Sequence, residues 1–245
     1  MPRRLPLFPL NSVLFPGLVL PLTVFEPRYR TLVADLMARE DTEARGFGVV
    51  AIRSGHEVGP GNTRMLHEVG CLALLREVSE SPDGTIEIVT VGASRFRLLG
   101  IDTEAGTPYL TGLVEAYGRD DATDDATDGA DAPPLGSSGA GNDALPSAEA
   151  ADLAVLAAGV AGRFENYRER LGIGGTSAPD DPEVLSFLVA AAMVLPLGER
   201  QRLLEALDTR DRLVAEETLL RNETALIDTF GTLPTTQPVD PGNPN

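Results

Sequence analysis

Few residues in this 245-residue chain have the type and spacing to do chemistry, and each has a bland reading beside the chemical one. Cys71 lies in the apolar run VGCLALL, where a thiol reads as a small buried hydrophobe rather than as a nucleophile. With no second cysteine there is no intramolecular disulfide. His56 and His67 fall in two copies of HEVG whose contexts differ, so they read as coincidence rather than as a repeat. Neither belongs to HExxH, and two histidines with one strand cysteine do not make a zinc set. Both read as structural histidines. The interval 120–131 carries six aspartates without a basic residue but lacks the ligand order of an EF-hand, so a solvated acidic segment is favoured over a calcium site.

The basic residues exclude more. All twenty are arginine. A lysine-dependent P-loop, a Ser-Lys dyad and a Schiff-base lysine are therefore impossible in this chain. No serine stands in a GxSxG elbow, and GIGG at 172–175 follows no strand, so it is a helix stop and not a dinucleotide fingerprint. The expectation is a non-enzyme with no catalytic residues, no metal and no cofactor.

The elements that would position a binding surface begin in the apolar opening, residues 5–29, LPLFPLNSVLFPGLVLPLTVFEPRY. Prolines cut it into short pieces. Leu18, Leu20 and Leu22 alternate with Val19, Pro21 and Thr23 as in a half-buried strand, and proline places such pieces at sheet edges. Phe15-Pro16-Gly17 is the expected turn. From Glu26-Pro27 the spacing becomes helical to residue 39, with Pro27 at a first helical position, Glu26 complementing the positive helix start, and Leu32, Val33, Leu36 and Met37 on one face. Strands follow at FGVVAIR, at 69–78 and at 85–91. Another, SRFRLLGI, follows a bend or bulge at Gly92, and the last starts at Pro108 and ends near Tyr117. Arg95 and Arg97 alternate with Phe96 and Leu98 and read as the solvated face of an amphipathic strand, over the reading in which they reach an acidic ligand.

The second half is helical by periodicity. Ser147 is an N-cap for a helix carrying Leu153, Leu156, Val160, Phe164, Tyr167 and Leu171, stopped at Gly172. Asp181-Pro182 starts the next, with Val184, Leu185, Leu188, Ala191, Ala192 and Leu195 inward, broken by Pro196. A short helix runs to about Leu207, and Asp208-Thr209 caps a long one to about Asp228. The domain expectation is 1–118 strand-rich, 119–150 an acidic disordered linker, 151–230 a C-terminal helical bundle and 231–245 a disordered tail.

The order LPLFPLNSVLFPG, LPLTVFEPRYRTLV, FGVVAI, VGCLALLREV, DGTIEIVTVGASRFRLLGI, PYLTGLVE and LPLGERQRLLEALDTRDRL resembles the Lon substrate-binding domain. This is the N-terminal domain of Lon proteases, found also in stand-alone bacterial proteins and, diverged, in cereblon. The resemblance implies an α+β fold, a PUA-like mixed β-barrel with one intervening helix followed by the helical bundle. It also implies a role in binding protein segments. Full-length Lon proteases add an ATPase and a Ser-Lys peptidase domain, which a lysine-free chain is expected to lack. Within FEPRYR, the residues Phe25, Glu26, Arg28 and Tyr29 are the peptide-binding candidates, although Glu at a helix start and Tyr against the sheet also have architectural explanations.

Composition narrows the partners. A formal charge of −17, no tryptophan and no basic stripe argue against nucleic acid. Four prolines in the opening and the lack of a small-residue cleavage site argue against a signal peptide, and no stretch has the apolar length of a membrane span, so a cytoplasmic protein with no membrane partner is expected. The expected partners are unfolded or exposed protein segments, with a protease or chaperone as associate, bound without nucleotide. The alternatives are a small-ligand or RNA-binding PUA-like module and a structural subunit of an oligomer or complex. The sequence leaves the oligomeric state open.

Overall fold

The Phe15-Pro16-Gly17 turn sets the first crossing of the chain. Leu18 N–H donates to Phe15 O at 3.3 Å, and Gly17 takes φ of 76°, the left-handed conformation that glycine adopts without a side-chain penalty. The turn joins β1 (Arg3–Leu10) to β2 (Val19–Val24) in the computed structural model, which describes residues 2–41, 45–53, 66–82, 84–119, 147–175 and 177–230. His56, the aspartate-rich interval 120–131, most of the expected 119–150 linker and the 231–245 tail lie outside the described residues.

After β2 comes α1 (Pro27–Met37), then β3 (Gly46–Ala51), β4 (Val69–Glu80), β5 (Ile86–Ile101) and β6 (Thr111–Ala116). These strands form one mixed sheet in the order β2-β5-β4-β3-β1-β6. β1 and β3 are parallel, and every other pair is antiparallel. The sixteen-residue β5 replaces two expected strands: its first half pairs with β2 and its second with β6. Gly92 is continuous with the strand, not a break in it. A side chain there would collide with the Phe15 carbonyl oxygen, and the β4–β5 register shifts just beyond it, between Cys71 and Ala73.

The sheet curls until β6 bonds both β1 and β5, yet it is not the closed barrel expected. Among the described residues β2 pairs only with β5 and ends the sheet. Its core is one cluster under α1, including Phe8, Tyr29, Leu32, Leu36, Phe47 and Ile88, with a second around Leu7, Phe96 and Val114. Met37, expected inward, is 43% exposed because α1 ends its buried face at Leu36. The Tyr109 hydroxyl donates to Asp35 Oδ2 at 2.7 Å and anchors α1 from the other side. Burial, reinforced by Asp35, pushes that phenol up to about 12.

The helical half consists of α2 (Ala148–Arg170), α3 (Pro182–Ala192), α4 (Leu197–Leu204) and α5 (Thr209–Phe230). Its caps follow the sequence signals: Ser147 Oγ accepts from Ala150 N, Asp181 Oδ1 from Glu183 N and Val184 N, and Asp208 Oδ1 from Asp211 N. Val160, Phe164, Tyr167, Leu185, Val189, Leu213 and Leu220 fill the space between α2, α3 and α5. Val184, expected inward, is 40% exposed.

The two halves share a core. Val13, Phe15, Ala51 and Val69 from the sheet pack with Phe187, Ala190, Leu203 and Leu204. Polar groups of the sheet also satisfy the carbonyls that the end of α4 leaves without helical partners. The Arg95 guanidinium donates to Leu204 O at 3.0 Å and to Ala206 O, Tyr117 Oη to Glu205 O at 2.7 Å, and Arg119 N to Leu207 O at 3.0 Å. In return Gln201 Nε2 donates to Val69 O at 3.0 Å. Arg95 is 1% exposed, which corrects its reading as part of a solvated face. Alternation put it on the outer face of the strand, and the helical half then covered that face.

One buried charge is less well served. Glu216 is fully buried on α5, and its carboxyl oxygens have no hydrogen-bond partner among the described residues. Burial raises this carboxyl well above the usual carboxylate range, with the Arg212 charge opposing it. An unfolded Glu releases its proton near about pH 4.3, whereas the folded chain holds this one to higher pH. Over that window the unfolded state binds fewer protons than the native state, so stability falls as pH rises and levels off above the folded value. Glu216→Gln is expected to flatten the slope, the urea midpoints of the two proteins diverging as pH rises above the unfolded glutamate value of about 4.3. Parallel profiles would show that this carboxyl does not carry the dependence.

Candidate functional site

The start of α1 gathers the four candidate residues. Glu26 is extended, with φ −68° and ψ 133°, and its carbonyl accepts from Tyr29 N and Arg30 N, which opens the helix at Pro27 as expected. Its side chain makes no cap hydrogen bond. Both Arg28 Nε, at 2.8 Å, and Arg28 Nη2, at 2.7 Å, reach Glu26 Oε2 instead. A guanidinium two residues away presents a full charge and two donors, which outcompetes the partial charges of the first helical amides.

That guanidinium lies 4.8 Å over the Tyr29 ring, and the Tyr29 ring stacks on Phe8 with centroids 4.0 Å apart and planes at 17°. Phe8 in turn meets Phe47 at 5.7 Å. Tyr29 is therefore chiefly architectural, being 6% exposed. Phe25 is the opposite case. It is 71% exposed, a large apolar side chain held in water at the junction of β2 and α1.

All four residues line one groove of about 320 Å3. One wall is Leu22, Thr23 and Val24 at the end of β2, and the other is Phe8, Pro9, Leu10 and Asn11 with Ile52. The second wall was not legible as site in the sequence. Its signal lies in the spacing of LFPL, but only the curl of the sheet brings it opposite β2. The carboxylate and the guanidinium that line the groove, Glu26 and Arg28, neutralise each other. Chemically it can bind an apolar, uncharged object.

His67, the second histidine, stands elsewhere. It lines another groove, of about 600 Å3, with Arg53, Glu68 and Arg97. Its Nδ1 lies 3.6 Å from Glu205, and burial lowers its pKa despite that carboxylate. Cys71 is buried in the sheet. Among the described residues no three His, Cys, Asp or Glu side chains converge to hold a metal ion, and no helix is long and apolar enough to cross a membrane.

Residues 4–222 match the family described as the ATP-dependent protease La (LON) substrate-binding domain. Among curated proteins the chain is 28% identical over 217 residues to a Lon protease of Anaeromyxobacter dehalogenans, covering 87% of this chain and 22% of the relative. It is 29% identical over 217 residues to Lon protease 2 of Myxococcus xanthus, covering 87% and 23%. The chain thus spans under a quarter of the length of these relatives. Among solved structures it is similar in fold to the Lon N-terminal domain protein from Xanthomonas campestris, with a TM-score of 0.55, 24% identity, and coverage of 89% of this chain and 98% of that one. The N-terminal domain of Mycobacterium avium complex Lon protease gives a TM-score of 0.55 at 16% identity, covering 91% and 98%.

The geometry separates the roles of two neighbouring aromatics. Tyr29→Ala removes a stacked, buried ring and is expected to cost about 3 kcal/mol in urea unfolding. Phe25→Ser is expected to change stability by less than about 0.5 kcal/mol. Equal losses would place Phe25 in the core rather than at the groove mouth.

Proposed function

The chain belongs to the Lon substrate-binding domain family, and from that premise we propose that its groove binds exposed or unfolded segments of other proteins, reversibly and without nucleotide. The observation that carries the reading is Phe25, exposed at the mouth of a groove whose charges cancel within it. An apolar side chain in water gains by covering, at about 25 cal/mol per Å2 of apolar surface removed. Phe25 makes the first contact, the Tyr29–Phe8 stack is the floor, and the Glu26–Arg28 pair holds the mouth open without presenting a net charge to an apolar segment. A protein of this kind serves as an adaptor or chaperone-like module in the cytoplasm, passing segments to a protease or chaperone. The PUA-like classification, with a separate helical bundle after residue 150, belongs to the same reading.

The family's substrate-binding description supports this class of ligand. The overall charge of −17 disfavours the RNA-binding alternative. The test is fluorescence anisotropy of a labelled, permanently unfolded protein and of a labelled RNA, each titrated with this protein at two salt concentrations without nucleotide. Saturable binding of the unfolded protein and not of RNA is expected, weakened about tenfold by Phe25→Ser, a loss equivalent to about 1.4 kcal/mol. Binding of RNA alone, or indifference of the unfolded protein to Phe25→Ser, would overturn the assignment.

A further inference from the structure

The groove has an edge as well as walls, and the backbone of β2 specifies how that edge can be used. Gly92 N–H donates to Leu18 O, and the register pairs Leu20 with Thr90, Leu22 with Ile88 and Val24 with Ile86. In an antiparallel pair the bonding direction alternates residue by residue, so the even-numbered residues of β2 bond to β5. Val19, Pro21 and Thr23 then point their backbone groups away from it. Among the described residues this edge is free, and it offers three acceptors, the carbonyls of Val19, Pro21 and Thr23, but only two donors, because Pro21 has none.

The same alternation sorts the faces. Leu20, Leu22 and Val24 turn toward the core, while Val19, Pro21 and Thr23 are exposed. The opposite wall repeats the device. Leu7 N–H bonds Leu110 O while Leu10 O accepts from Ile52 N, so alternate residues of β1 bond to β3 and Pro9 faces the other way. A donorless proline thus stands on each side of the groove, and the two strands do not zip to one another.

We infer that the groove is completed by an added β-strand from another protein, an extended segment that bonds the free edge of β2 at Val19, Pro21 and Thr23. This rests on the reading of the groove as a protein-segment site and specifies its ligand. The added strand runs antiparallel to β2, so its residues opposite Leu20, Leu22 and Val24 turn into the groove and are apolar, while those opposite Val19, Pro21 and Thr23 face water and make the bonds. Charge selects the flanks. The Glu26–Arg28 pair leaves the groove neutral on a chain of charge −17, so an uncharged core with basic ends is complementary, and acidic ends are repelled. Sheet augmentation of this kind takes its affinity from main-chain bonds and its selectivity from alternate side chains.

The probe is the fluorescein-labelled peptide Arg-Arg-Val-Thr-Val-Thr-Val-Thr-Arg-Arg, titrated by anisotropy with the full chain beside the labelled unfolded protein. N-methylating the threonine amides, which would bond β2, is expected to weaken binding at least about tenfold, and N-methylating the valine amides much less. Thr23→Pro removes an outward donor without touching the β5 ladder and is expected to weaken the parent peptide comparably. Glutamates in place of the terminal arginines are expected to weaken it as well. If both N-methyl series bind alike, or if Thr23→Pro binds normally while Phe25→Ser does not, the groove takes segments without forming a strand and the inference fails. Binding of the unfolded protein without binding of the peptide also overturns it, whereas loss of both ligands removes the groove reading itself. A concentration-dependent dimer in sedimentation that Thr23→Pro dissociates would assign the edge to a second copy of the chain, against the inference.

Discussion

The fold depends on a desolvated guanidinium. Arg95 enters the interface between sheet and helices from the middle of β5 and terminates α4 by bonding the carbonyls of Leu204 and Ala206. An isolated charge in that position would be costly, and carbonyls left bare at a buried helix end would cost as well. Each deficit cancels the other. The negative end of the α4 dipole faces a positive charge, and the rings of Tyr117 and Phe187 flank the guanidinium at 5.6 Å. Arg212 repeats the solution inside the helical half, 3.7 Å from the Phe187 ring centroid and bonded to Ser186 Oγ. A chain whose basic residues are all arginine is suited to this role, since a planar, weakly hydrated cation can stack and bond at once.

This interface explains what the sequence could and could not reveal. The beginnings of α2, α3 and α5 were legible because Ser147, Asp181 and Asp208 bond amides within three residues of themselves, and that of α1 because Pro27 fixes its own φ at a helical value. The Gly17 turn was legible for the same reason. Arg95 was not, because strand periodicity says which face a residue occupies and nothing about what later covers that face. The reading of β5 as two strands failed similarly. Gly92 is small for the sake of Phe15, far away in sequence, and not for a break in its own strand.

The candidate site divides along the same line. Tyr29 against the sheet was foreseen as an architectural role within FEPRYR, and its partner Phe8 was not. Glu26 was assigned to the helix start by position, and the structure gives its carboxylate to Arg28. Both readings are local, and the stronger donor decided between them. The groove itself is a tertiary object whose walls come from β1, β2 and α1, and no window of sequence contains it.

The way the halves are joined bears on how this protein can vary. Among the described residues the bonds across the interface join the sheet and the residues just after β6, from Val69 and Arg95 to Tyr117 and Arg119, to α4 and the turn that follows it, from Gln201 to Leu207. In covalent terms the helical half is attached by a connecting segment; in energetic terms it is docked as a separate subunit would be. The two halves are complementary pieces that share one chain.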